Sequence, residues 1–215
     1  MTYDAFWSYY GAELIGQWGE HVAIVAAAAT IGTIVALSLS LIVYRNARWS
    51  ELLLRVTGIA LTIPSMALYV ILLSAVGIGW PPTLVALTLF SLRPIVQNAL
   101  VGLQGVDQSI VESARGIGMS RLHCLLKVEM PMAWPLIATG IRVSTTLLVT
   151  TATISAIVLG PGLGNSIYRG LKSLGTPNAL YFSATGIVGV ILVGLAFNLA
   201  LVVAERLTTS RGIRG

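Results

Sequence analysis

The side chains that could do chemistry are concentrated in one stretch, residues 106–131. It carries three acids and three bases, which are Asp107, Glu112, Glu129, Arg115, Arg121 and Lys127. The sequence on both sides of it is almost continuously apolar. Charged side chains stay solvated or find partners, because burying them alone is costly. We therefore expect this stretch to face water on one side of a membrane and to offer a charged surface there.

Other kinds of site find no support in the sequence. There is no G-x-x-x-x-G-K-[ST] phosphate loop and no H-E-x-x-H zinc motif. The glycine-rich residues 160–164 lack the following Lys-Ser/Thr pair. The two histidines, His21 and His123, fall on opposite membrane sides in the topology argued below, and Cys124 is the single cysteine. We expect no metal, no bound cofactor and no catalysis. An intramembrane enzyme would need acids or histidines clustered at one depth, and the spans offer none apart from His21 at an edge.

Composition places the chain in a membrane. Of its 215 residues, 56% are hydrophobic and only 10% are charged, whereas a soluble domain carries about 25% charged residues. The length allows one membrane domain and no further soluble domain of ordinary size. The net charge of +5 then reflects which loops face the cytoplasm rather than binding to nucleic acid.

Five segments are long and apolar enough to cross a hydrocarbon core of ~30 Å. They are residues 21–44, 54–76, 83–103, 135–159 and 180–204. Residues 1–20 are aromatic and acidic and contain no Lys or Arg, which is typical of an interfacial segment. A polar loop covers 104–134, and a short tail covers 208–215. We predict an all-α polytopic membrane protein whose membrane domain covers residues 21–207.

The basic residues predict the orientation. With the 104–134 loop in the cytoplasm, five spans place the loop after residue 44 and the tail on the same side. That side then holds nine bases: Arg45, Arg48, Arg55, Arg115, Arg121, Lys127, Arg206, Arg211 and Arg214. The opposite side holds Arg169 and Lys172 only. Because Lys and Arg accumulate in cytoplasmic loops, the N-terminus is predicted outside and the C-terminus in the cytoplasm.

A polar path across the membrane has four candidate residues. Pro64 lies within the second span, where it removes a backbone hydrogen bond and kinks the helix. Asn98 lies one turn after the Arg93-Pro94 pair in the third span. Thr146 and Thr150 belong to a hydroxyl-rich part of the fourth span. Hydroxyls can also bond to their own helix, and a kink can serve packing alone, so both alternatives stay open.

The polar stretch carries a specific spacing. Glu112-Ser113-Ala114 is followed by three residues, then Gly118, then nine residues, then Val128-Glu129-Met130-Pro131. This resembles the E-A-A-x3-G-x9-I-x-L-P signature of permease subunits in bacterial ABC importers. The Glu, the third-position Ala, the Gly and the Pro match, while Ser113, Val128 and Met130 are mild replacements. From the residues alone, we expect a short helix, a turn at Gly116 and Gly118, and a second helix ended by Pro131.

The resemblance extends over roughly residues 20–207 and narrows the family. T-I-P-S at 62–65, R-P-I at 93–95, G-V-D at 105–107 and L-G-P-G-L-G-N-S-I-Y-R-G-L at 159–171 look like permeases for osmoprotectants. Pro161 stands where such permeases tend to have a glycine. These importers take up glycine betaine, choline, carnitine or related quaternary amines. Methionine-type permeases are similar in size and span count, so an amino acid remains an alternative, and a channel that needs no ATP is a further one.

The resemblance also implies partners and roles. The polar loop would be the coupling element that docks on cytosolic ATPase subunits, which bind ATP and Mg²⁺ in place of this chain. Glu112 would be the charged contact, with Arg115 and Arg121 beside it and Ala114, Gly118 and Pro131 shaping the loop. A second permease, identical or paralogous, would complete the path. A solute-binding protein outside the bacterial plasma membrane would deliver the solute.

Overall fold

The helices predicted from the apolar runs are present in a computed structural model, which describes residues 2–209. Within that range there is no strand, so the all-α expectation is confirmed. The described residues form nine α-helices: α1 (Tyr3–Val43), α2 (Ala47–Thr62), α3 (Ser65–Val76), α4 (Trp80–Gln104), α5 (Gln108–Gly116), α6 (Arg121–Cys124), α7 (Met130–Ala152), α8 (Gly164–Lys172) and α9 (Ala179–Thr208). A π-helical turn (Leu125–Glu129) joins α6 to α7, and a 3-10 segment (Thr153–Val158) follows α7.

Four helical stretches are each long and apolar enough to cross a membrane. They are α1, α4, the run Arg121–Val158 and α9. The pair formed by α2 and α3 makes a fifth if the two count as one bent span. The expected tail 208–215 lies outside the described residues beyond Thr209.

The first helix is longer than expected. The sequence predicts an interfacial segment over residues 1–20 and a separate span over 21–44, but α1 continues without a break for 41 residues. No proline interrupts this sequence, and the glycines at 16 and 19 are tolerated inside a helix at a small cost. At 1.5 Å per residue α1 is about 62 Å long, roughly twice a hydrocarbon core. An interfacial position for its first half stays a prediction.

The second predicted span is divided. Instead of one helix over 54–76, α2 and α3 meet at an angle of 94°. Ile63 before the proline is extended, with φ −76° and ψ 123°, as the proline ring requires of the residue that precedes it. Pro64 also lacks the N–H that a continuous helix would need. The predicted kink is therefore a full break between two helices.

The centre of the bundle is the pair α4 and α7, with α1 packed against both. Gly102 on α4 and Gly140 on α7 face the neighbouring helix with almost no free space around them, which lets the two backbones approach closely. Buried apolar side chains form one cluster around Leu87 and Leu148 and another around Ile95 and Ile137. The short helix α8 packs on α9. The short α5 and α6 lie between the long helices α4 and α7 along the chain.

Candidate docking surface and translocation path

Residues 107–124 fold as a helix–turn–helix, which we call the docking knob. The Asp107 carboxylate accepts a 2.8 Å hydrogen bond from the Ser109 backbone N–H and caps α5. Bonds from Ser109 hold the pKa of Asp107 below its ordinary value. The Ser120 hydroxyl accepts a bond of 3.3 Å from the His123 N–H and caps α6. Two side-chain caps therefore define where the two short helices begin.

Gly118 makes the turn between α5 and α6. Its φ is +93°, a conformation that residues with a Cβ rarely adopt, and its N–H bonds to the Arg115 carbonyl at 2.9 Å. A Cβ at Gly118 would meet no atom within 4 Å. The left-handed backbone conformation is a sufficient reason for a glycine at this turn, where the sequence predicts one.

The interior of the docking knob is a small apolar core. Val111, Ala114 and Cys124 are buried in it, with Val106, Met119 and Val128 packed around them. Ala114 therefore points into the knob, which explains why a small apolar residue suits that position of the motif. Cys124 was given no role from the sequence, but it is fully buried and holds α6 against α5.

The outer surface of the docking knob carries the predicted charges. Glu112, Arg115 and Arg121 are exposed, and none of their side chains has an ion pair or hydrogen bond with the rest of residues 2–209. Ile117 and Leu122 stand beside them, 78% and 65% exposed. Unpaired charges around exposed apolar side chains are the composition of a contact surface for another protein.

Pro131 has a different role from the expected one. It does not end the second helix of the loop, because the chain stays helical from Arg121 to Val158. The π-helical turn Leu125–Glu129 comes immediately before it, and the Met130 N–H bonds to the Leu125 carbonyl five residues back. This wider turn accommodates a ring that would otherwise collide with the preceding turn. Pro131 then occupies the first turn of α7, where its missing N–H costs least.

Glu129 is a functional candidate that the sequence analysis did not single out. Its side chain is buried, and its two oxygens accept hydrogen bonds of 2.7 Å from the Tyr44 hydroxyl and from Arg45 Nη2. Arg45 Nε also donates to the Tyr44 hydroxyl at 2.6 Å. A partner 84 residues earlier could not be read from spacing.

Two of the four path candidates share one face of α7. Thr146 and Thr150 are exposed in the single chain and lie one turn apart. Their hydroxyls donate to the Arg142 and Leu147 carbonyls, both at 3.0 Å. The hydroxyls are thus satisfied by their own helix, as the alternative allowed, while their outward faces remain uncovered.

The other two candidates lie elsewhere. Pro64 lines an open cavity of about 270 Å³, together with Phe90, Leu147 and Thr151. This brings the α2–α3 break next to the hydroxyl-rich part of α7. Asn98 is half-buried where α4 meets α7, and its Nδ2 donates to the Pro94 carbonyl at 2.9 Å. Asn98 does not line that cavity.

A second polar cluster joins the first half of α1 to α8 and to the loop before it. Glu20 accepts a 3.1 Å hydrogen bond from the Gly162 N–H, and Glu13 pairs with Arg169 at 3.1 Å. The Arg169 guanidinium also lies over the Phe182 ring, 4.3 Å from its centroid. Glu13 and Glu20 are seven residues apart and so share a helix face. That spacing could have indicated one contact surface, although not the loop that it binds.

Acidic and other ligating side chains do not gather into a metal site. No group of three His, Cys, Asp or Glu side chains within residues 2–209 could hold a metal ion.

Comparisons with known proteins identify the family and the fold. Residues 28–209 match the family described as "binding-protein-dependent transport system inner membrane component". The chain is 35% identical to the glycine betaine/carnitine/choline transport system permease protein OpuCB of Bacillus subtilis (strain 168), over 95% of this chain and 93% of that protein. It is 34% identical to the choline transport system permease protein OpuBB of the same organism, over 95% and 92% of the two chains. A solved inward-facing structure of the MetNI methionine ABC transporter superposes with a TM-score of 0.78 and 20% identity, covering 98% of this chain and 100% of that one. At that identity the likeness shows the fold.

Proposed function

The chain belongs to the family of binding-protein-dependent transport system inner membrane components, and we propose that it is the membrane-spanning permease subunit of an ABC importer for a quaternary-amine osmoprotectant. Glycine betaine, choline and carnitine are the solutes named for the relatives that match it over nearly their whole length. The single observation that carries the proposal is the docking knob, which presents the family's charged motif on a structured and uncovered surface. The transported solute is inferred from the relatives.

The docking knob is proposed to bind a cytosolic ATPase. Glu112, Arg115 and Arg121 supply the charged contacts, and Ile117 and Leu122 supply the apolar ones. Ala114 and Gly118 act indirectly, by packing the knob and forming its turn. ATP and Mg²⁺ are held by the ATPase, so this chain performs no covalent chemistry. This arrangement requires the knob and the C-terminus to lie in the cytoplasm and the N-terminus outside the bacterial plasma membrane.

A second permease, identical or paralogous, is proposed to complete the path. The uncovered face of α7 with Thr146 and Thr150 supports this, because hydroxyls exposed on a single bundle can line a passage between two bundles. The cavity beside Pro64 would adjoin that passage. On the outside, a solute-binding protein would deliver the solute near residues 160–178 and 77–82.

Charge reversal at Glu112 tests the docking assignment. We expect Glu112→Lys to abolish solute uptake and to reduce the amount of ATPase that co-purifies with the permease. Glu51→Lys is the matched control, since Glu51 is 63% exposed and pairs only with Arg55 one turn away. Unchanged uptake and ATPase binding in Glu112→Lys would remove the docking role.

The solute is tested in liposomes that hold the complete transporter. Uptake of labelled choline or glycine betaine should depend on the ATPase and on ATP, and unlabelled methionine should not compete. Competition by methionine alone would favour the amino-acid alternative. Flux through liposomes that hold only this chain would favour a channel.

A further inference from the structure

The cytoplasmic ends of four helices meet at one hydrogen-bonded cluster, which we call the inner junction. It consists of Tyr44, Arg45, Ser50, Gln104 and Glu129. Glu129 is only 4% exposed, although the loop that contains it faces water. Its carboxylate, the Tyr44 hydroxyl and the Arg45 guanidinium form a closed ring of three hydrogen bonds, with lengths of 2.6 to 2.7 Å.

The ring connects the docking knob to α1. Glu129 is the last residue of the π-helical turn, so α6 of the knob lies on one side of it along the chain and α7 lies on the other. Tyr44 and Arg45 directly follow the end of α1. Side-chain hydrogen bonds therefore join Glu129, next to the docking knob, directly to the residues that follow α1.

Gln104 extends the connection to two more helices. Its Nε2 donates to the Tyr44 carbonyl at 2.9 Å and to the Ser50 hydroxyl at 3.1 Å. The Ser50 hydroxyl in turn donates to the Val43 carbonyl at 3.0 Å. The ends of α1 and α4 and the start of α2 are therefore joined to the same cluster that Glu129 anchors.

We propose that Glu129 is the positioning residue that makes α1 follow the docking knob, and that it thereby sets how tightly ATP hydrolysis is coupled to solute movement. An apolar contact can slide, but a buried carboxylate must keep its partners because losing them leaves an uncompensated charge. Displacement of the knob by an ATPase therefore carries Tyr44 and Arg45 with it. This inference rests on the proposed function, and Glu129 touches neither solute nor nucleotide.

The test is Glu129→Gln in the complete transporter, with ATPase, second permease and binding protein in proteoliposomes. The substitution keeps the shape and removes the charge. We expect the number of solute molecules moved per ATP hydrolysed to fall about tenfold, the effect of one lost charge-assisted hydrogen bond on an equilibrium. The amount of ATPase retained on the permease should stay at the wild-type level, which separates coupling from docking.

Three further variants make the result decisive. Exchanging the charges in Arg45→Glu/Glu129→Arg should restore most of the coupling, because the Tyr44 hydroxyl can donate to one group and accept from the other. Tyr44→Phe keeps the ion pair and removes two hydrogen bonds. It should lower the number of solute molecules moved per ATP by less than Glu129→Gln does, and it is the substitute test if Glu129→Gln fails to fold. Glu51→Gln removes an exposed ion pair on α2 and should change nothing, as surface pairs contribute little.

Two failures can be told apart. If the wild-type permease retained no ATPase and showed no ATP-driven uptake, the proposed function would be wrong. If the wild-type transporter worked and both Glu129→Gln and Tyr44→Phe moved as much solute per ATP as it does, the positioning role of Glu129 would be overturned. Loss of bound ATPase in these variants would also overturn it, because the residue would then act in docking.

Discussion

Gly140 of α7 lies directly against Asn98 of α4. A Cβ at Gly140 would stand 2.7 Å from the Asn98 Cβ and 3.0 Å from the Pro94 carbonyl oxygen. The first distance is shorter than real Cβ contacts and the second is unusually tight, so a side chain at Gly140 would push α4 and α7 apart. These two helices form the centre of the bundle, with α1 packed against both.

Substituting Gly140 should destabilise the bundle. We expect Gly140→Ala to cost about 1–3 kcal/mol, as overpacking of a tight core does, and to lower the midpoint of thermal unfolding of the protein in detergent. Gly16→Ala in α1 is the matched control, since a Cβ there meets nothing within 4 Å. Equal midpoints for the two variants would mean that α4 and α7 can separate at no cost.

The turn of the docking knob gives a second pair of glycine variants. Gly118→Ala should strain the backbone by about 1–2 kcal/mol, because its φ of +93° is left-handed. Gly116→Ala, two residues earlier, has space for a Cβ and no positive φ. We expect Gly118→Ala to release ATPase from the purified complex and Gly116→Ala to retain it. If both variants retained it equally, the turn would not determine docking.

The exposed face of α7 can be probed without changing its shape. We expect Thr146→Val/Thr150→Val to slow solute uptake several-fold, because a polar solute would then meet apolar wall in place of hydroxyls. The amount of bound ATPase should stay constant. Thr30→Val is the control, since Thr30 is also exposed and bonds to its own helix at Ala26. Normal uptake in the double variant would mean that this face of α7 contacts lipid or another helix rather than the solute.

The C-terminal half of α9 is joined to α7 by an ion pair. Arg142 and Glu205 form an ion pair of 3.5 Å, with side chains 33% and 24% exposed. A double-mutant cycle with Arg142→Gln and Glu205→Gln should give a coupling energy of about 0.5–3 kcal/mol in thermal unfolding. A coupling energy of zero would mean that this ion pair adds nothing to the contacts of α9 with α7, which include the Trp134–Thr208 hydrogen bond of 2.7 Å.

Much of the fold could be predicted from local sequence, for a physical reason. Long apolar runs have few alternatives to helices in a bilayer, where every backbone polar group must be bonded internally. The break at Pro64 and the turn at Gly118 are likewise properties of single residues. The charges Glu112, Arg115 and Arg121, for which we predict a docking role, stand out because the sequence on both sides of residues 106–131 is almost continuously apolar.

What could not be predicted depends on contacts between distant parts of the chain. Glu129 is one of several charges in the polar loop, and only the fold shows that it is buried against Tyr44 and Arg45. The sequence predicts that Pro131 ends a helix. The π-helical turn that accommodates this proline has no simple sequence pattern, so it could not be predicted. Glu20 looked like an interfacial charge, but it accepts a hydrogen bond from the loop before α8.

Helix α1 contacts important regions at both of its ends. Through Glu13 and Glu20 its first half is bonded to the 160–170 region, and at its other end Tyr44 is bonded to Glu129. A displacement of this one helix would therefore change contacts at both faces of the bundle. If the proposed ATPase and solute-binding protein bind at these two faces and both shift α1, each must change the affinity of the other by the same factor.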